Sequence, residues 1–106
     1  EGFEWILVDD ADRSIFSFVR KDQTGRNALL FVINFTPVER NDFRMGVPCK
    51  TNYTLILNEH GAVSTDKEHK KVFKAEKGNQ DGKEQYIEYP LPSYGVAVFR
   101  FSYPKK

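Results

Sequence analysis

The hydrophobic positions of this chain fall in short runs broken by turn-forming residues, and within several runs they alternate with polar ones. A period of two suits a strand, whose successive side chains point to opposite faces. Residues 3–8 (FEWILV) place Phe3, Trp5 and Leu7 on one face and Glu4, Ile6 and Val8 on the other. Asp9, Asp10 and Asp12 interrupt that run, as Asp clusters do in turns. Residues 14–20 (SIFSFVR) resume as a strand, and the loop that follows holds Asp22, Gly25 and Asn27 before residues 28–35 (ALLFVINF). Pro37 ends that strand, and shorter ones are expected at residues 44–47 and 53–57. The last two, residues 85–91 and 95–101, flank Pro92, Ser93 and Tyr94. Strands and turns spaced by roughly 8 to 12 residues predict an all-β sandwich or barrel. No stretch carries a helical stripe with caps at its ends.

One departure from alternation matters. Residues 28–33 are apolar at every position, and Ile15, Phe16, Phe18 and Val19 fill both faces of their strand. A sheet with one wet face alternates polar and apolar residues, so these strands ask for cover on both sides. A roofing loop within the domain would provide it, and so would a neighbouring domain.

Length and composition narrow the class. The chain has 106 residues, too few for a (β/α)₈ barrel of about 250 and right for a two-sheet sandwich of about 100. Sixteen basic and fifteen acidic side chains leave a net charge of +1, with no footprint for nucleic acid or an anionic membrane. No apolar run reaches the roughly 20 residues that span a bilayer. Phe, Tyr and Trp make up 14% of the chain, which favours pleated, half-buried surfaces. The single cysteine, Cys49, forbids an internal disulfide and argues for a reducing, cytoplasmic setting. Opening on Glu1 rather than Met, the chain is expected to be a processed product or an excised piece.

Candidate chemistry is sparse. Between residues 65 and 85 lies a charged segment poor in apolar residues, expected as a long solvated loop or weak hairpin with residues 71–75 pairing as a short strand. A helix over residues 67–77 would have a thin apolar face. Acidic residues interleave with its lysines and only Phe73 offers a ring, so it is no single-strand groove. An EF-hand begun at Asp10 needs Gly and Glu where Ile15 and Lys21 stand. Gly78 and Gly82-Lys83 miss the P-loop spacing and lack its hydroxyl. His60, His69 and Cys49 have no zinc-ligand spacing. Asn34 and Asn52 each open an N-glycosylation sequon, a pattern that chance often supplies. No acidic pair stands out for glycoside chemistry, and neither a metal nor a cofactor is expected.

Several ordered segments nonetheless resemble a known family. Residues 2–6 (GFEWI), the Asp cluster at 9–12 and residues 14–18 (SIFSF) with Arg20 are similar to the opening of the C-terminal domain of bacterial-type 1,4-α-glucan branching enzymes. Residues 34–38 (NFTPV) and 43–48 (FRMGVP) resemble that family's NFTP and YRIGVP segments. Leu57-Asn58 and residues 91–98 (LPSYGVAV) fit its closing strands, so the resemblance runs over residues 2–58 and 86–101. Residues 58–63 (NEHGAV) and 65–85 depart from the family pattern.

The resemblance implies an antiparallel β-sandwich of the α-amylase C-terminal type, 1–106 being a single domain. It implies a parent enzyme of glycogen biosynthesis, in the α-amylase superfamily, that cuts an α-1,4-glucan and moves the released segment to a 6-hydroxyl. The catalytic (β/α)₈ barrel is expected upstream, so no catalytic residue is carried over. The implied partners are that barrel and, through the parent enzyme, α-glucan. Phe3, Trp5, Leu30, Val32, Asn34 and Phe35 are the expected interdomain face. The alternative is an autonomous glucan-binding module, with Trp5, Tyr53 and Tyr94 as candidate stacking rings. An immunoglobulin-type interaction sandwich fits poorly, because Cys49 has no partner for the inter-sheet disulfide.

Overall fold

A computed structural model describes residues 3–8, 15–64 and 71–104. Among these, ten strands form two antiparallel sheets: β1 (Phe3–Val8), β2 (Ile15–Lys21), β3 (Asn27–Asn34), β4 (Arg40–Val47), β5 (Asn52–Asn58), β6 (Gly61–Ala62), β7 (Lys71–Lys74), β8 (Glu76–Gln80), β9 (Lys83–Leu91) and β10 (Val96–Ser102). The larger sheet runs β1-β2-β3-β10-β5-β6, with β7 also paired to β5, and the smaller runs β4-β9-β8. The all-β sandwich expected from the alternation is the fold.

The chain crosses between sheets after β3, β4, β7 and β9, so each sheet mixes hairpins with strands brought from afar. The β2–β3 hairpin is closed by Asp22, whose carboxylate accepts from the Thr24 amide at 3.0 Å, its hydroxyl at 2.6 Å and the Gly25 amide at 3.0 Å. Gly25 sits at φ +74°, a left-handed position that disfavours any Cβ.

The core lies between the sheets. Ile15, Val19, Leu30, Val32, Leu55, Ala97 and Phe99 of the larger sheet meet Met45, Val47, Ile87, Tyr89 and Leu91 of the smaller. Phe73, Tyr89 and Phe99 form a triad of edge-to-face rings with centroids 5.3 to 5.5 Å apart, the arrangement aromatic quadrupoles favour. In β9 the pattern is strict: Ile87, Tyr89 and Leu91 are buried while Glu88 and Pro90 are exposed. Gly46 is required by close approach, since a Cβ there would meet the Gln80 carbonyl oxygen at 2.2 Å. Its amide donates to the Asp81 carboxylate at 2.8 Å, tying β4 to the β8–β9 turn.

In the charged segment, the hairpin alternative is the one found. The short strand predicted at residues 71–75 is present as β7, paired to β5. The next residues are not a loop: β8 and the start of β9 make a hairpin in the smaller sheet. The described part of the helix considered over 67–77 is strand, and residues 65–70 lie outside the described residues. As an edge strand β8 needs only one apolar neighbour, and its charges suit an edge that must not pair with other chains.

Candidate docking face

The feature that stands out is the outer side of the larger sheet. Register fixes which residues share it: Phe18 stands opposite Phe31, Phe31 opposite Val98, and Val98 opposite Leu57, in one row across β2, β3, β10 and β5. The next row carries Phe16, Ile33 and Val96. Leu57 reaches this face because the ladder slips between Val98 and Phe99. Leu55 pairs with inward-facing Phe99 and Leu57 with outward-facing Val98, two residues apart yet on opposite faces. A bulge re-aims a strand in this way.

Several rings on this face touch one another. Phe18 and Phe31 stack with centroids 4.8 Å apart and planes 7° apart, and Phe16 meets Phe35 edge-on at 5.6 Å. Phe35 is 58% exposed, Leu57 40% and Val72 43%. Arg20, Lys21, Leu29, Phe31 and Arg100 line an open groove of about 390 Å³ at one end. The smaller sheet covers the inner side of the strands apolar on both sides; on the outer side Val98 is buried at 6% exposed and Phe16, Phe18, Leu29, Phe31, Ile33 and Val96 are half-buried.

The residues singled out from sequence divide sharply. Leu30, Val32 and Asn34 point the other way and are buried in the sandwich, so they do not belong to an outward face. The alternate residues Leu29, Phe31 and Ile33 do, and a continuous apolar run cannot show which set faces out. Phe35 is exposed. Phe3 and Trp5 lie on β1, opposite Arg20 and Phe18 in register; their side chains lie outside the described residues. Tyr53 is fully buried, its ring 4.6 Å from Phe101 and its hydroxyl donating to the Cys49 carbonyl at 2.7 Å. It is a core residue and offers no stacking surface. Burial also pushes the Cys49 thiol up from its ordinary pKa, a poor setting for a nucleophile.

Of the two candidate rings whose side chains are described, Tyr94 is the exposed one, at 61%. Its backbone is held at φ +51°. The Tyr94 amide donates to the Thr36 carbonyl at 2.8 Å, and the Asn34 amide to the Gly95 carbonyl at 2.9 Å. The buried Asn34 side chain ties the same two loops together, donating to the Val38 and Pro92 carbonyls at 3.0 and 2.9 Å. It also accepts from the Thr36 amide and hydroxyl at 2.9 and 2.7 Å. Asn34 is thus a loop clamp, which is why a polar residue ends a buried strand.

Among the described residues no group of three or more His, Cys, Asp or Glu is placed to hold a metal, and no helix is long and apolar enough to cross a membrane.

Residues 5–102 match the family described as alpha amylase, C-terminal all-beta domain. The chain belongs to that family. It is similar to the 1,4-alpha-glucan branching enzyme GlgB of Butyrivibrio fibrisolvens, 44% identical over 98% of this chain and 17% of that enzyme. The same-named enzyme of Bacillus subtilis (strain 168) is 37% identical over 94% of this chain and 16% of its own length. That of Aquifex aeolicus (strain VF5) is 48% identical over 55% and 9%. The chain therefore spans about one sixth of the length of the first two relatives. Apart from residues 2–4, the segments that resemble branching enzymes fall inside the matched region.

Proposed function

We propose that this chain is the C-terminal domain of a 1,4-α-glucan branching enzyme and that its outer sheet face packs on, and stabilises, the catalytic part of the same polypeptide. The parent enzyme transfers α-1,4-glucan segments to 6-hydroxyls in glycogen synthesis, in the cytoplasm, on a (β/α)₈ barrel upstream of these residues. The domain itself supplies no catalytic group. The observation that carries this reading is the apolar outer face of the larger sheet, from Phe18 and Phe31 across to Leu57, in a domain whose relatives are about six times longer.

Side-chain footprinting by a radical label tests it in the longer enzyme. Phe18, Phe31 and Leu57 are expected to be protected several-fold relative to Tyr86 on the smaller sheet. Equal labelling of both faces would reject the packing. Phe31→Asp in the longer enzyme should also lower the temperature at which branching activity is lost.

A second reading, glucan binding by the domain itself, is favoured by Tyr94 alone, exposed on a turn that is fixed in advance. Saturable amide shifts around Tyr94 on titration with a linear maltooligosaccharide support it, and an unchanged spectrum removes it.

A further inference from the structure

The outer face is not uniformly apolar. Arg20 of β2 and Arg100 of β10 both stand opposite Leu29 of β3. The three form one row across the sheet, with the arginine Cα atoms roughly 10 Å apart by ordinary strand spacing. Both arginines are exposed. They rim the groove of about 390 Å³ whose floor includes Ala28, Leu29 and Phe31. Among the described residues neither guanidinium has an ion-pair partner, whereas Arg44 meets Glu88 and Lys83 meets Glu4. The one carboxylate lining the groove, Asp22, is already engaged by three donors in its own turn. Lys21 adds a third cation, its ammonium 5.1 Å from the centre of the Tyr103 ring.

Resting on the packing reading above, we propose that the surface docked here presents carboxylates to the Arg20–Arg100 row. The occupant is the remainder of the same polypeptide, joined by an apolar centre at Phe31 and Leu57 and an acidic rim at one end. Two like charges beside an apolar floor lose water when the face is covered, and that loss is offset only if anionic acceptors replace the water. A guanidinium fork matches a carboxylate in two-point geometry. A neutral glucan would leave both cations uncompensated. The row also gives direction to the contact. Apolar packing alone tolerates rotation, but an acidic rim at one end accepts a single orientation and sets the domain in register on its partner.

The test uses the longer enzyme carrying R20K/R100K, which keeps the charges and adds primary amines. Carbodiimide joins such an amine to a carboxylate in direct contact, forming an amide with loss of water, and mass spectrometry of the digest identifies the joined peptides. Expected are cross-links from positions 20 and 100 to acidic residues outside residues 1–106. The same sample is footprinted. A face that is protected yet yields no cross-link from either position leaves the packing intact and overturns the acidic rim. A face that labels freely rejects the packing and the rim with it. Charge reversal gives an independent readout: R20E/R100E should raise labelling of Phe18 and Phe31 several-fold, and labelling unchanged from the parent sequence would count against the rim.

Discussion

The two outer faces of this sandwich differ in the side chains they carry. On the smaller sheet, Arg44 reaches Glu88 at 3.5 Å and lies over the Tyr86 ring at 4.8 Å, while Glu88 and Pro90 alternate with buried neighbours. That is the pattern of a sheet with one side in water. On the larger sheet, the corresponding outward positions are Phe16, Phe18, Leu29, Phe31, Ile33, Val96 and Val98. Both sheets contribute to the same core, so core formation does not explain the difference.

The largest effect that sharpens this contrast comes from two adjacent residues of β3. Leu30 faces the core and Phe31 the outside. Leu30→Ala should destabilise the 106-residue chain by about 2–5 kcal/mol, the range for emptying a packed core site. Phe31→Ala should lose about 1 kcal/mol, the ordinary size for a point substitution. Urea unfolding of both variants measures the gap. Equal losses would mean that the outer face is as closed as the inner one. In the longer enzyme the packing reading expects the gap to narrow, because Phe31 then gains a second layer.

How far the sequence carried can be judged at particular residues. Alternation found the strands that flank the core, and β9 shows why: one side wet, one side dry, and a legible period of two. In β3 that signal is absent, and the inward set Leu30, Val32 and Asn34 was mistaken for the outward one. No local property of an apolar run distinguishes its faces; only the pairing with β2 and β10 does. Tyr53 stays open in sequence for a related reason, since a tyrosine suits either a core with a hydrogen-bond partner or a surface, and its partner is the Cys49 carbonyl. The β8–β9 segment left loop and weak hairpin both open in sequence, because an edge strand needs no apolar stripe. Arg20 and Arg100 lie eighty residues apart in sequence, and only strand order places them beside the same leucine.

A smaller effect reads the core between the faces through its tyrosines. Burial raises the pKa values of Tyr53 and Tyr89, and pushes Tyr103 up to about 12. In the unfolded chain each ionises near about 10. The folded state then holds its phenolic protons more tightly. Its stability from these groups is fully present below pH of about 10 and is lost as pH rises through the folded values. Alkaline titration should therefore show tyrosinate absorbance from the buried rings rising together with loss of the β-sheet circular dichroism signal. Ionisation of every tyrosine near pH 10 with the fold intact would contradict the burial of Tyr53 and Tyr89.

The smallest effect belongs to the wet face. Arg44 and Glu88 are both about half exposed, and a pair so placed contributes less than about 1 kcal/mol. A double-mutant cycle of Arg44→Ala and Glu88→Ala should give a coupling within that bound, shrinking as salt is added. The same cations on the other sheet behave differently if they are covered. Removing Arg20 and Arg100 should change little in the 106-residue chain, where water solvates both, and much more in the longer enzyme. A face is defined by this dependence on context, and the Arg44–Glu88 pair is the control for it: its coupling should be the same in both chains. A coupling that grows in the longer enzyme would mean that the smaller sheet, not the larger, is the one that is covered.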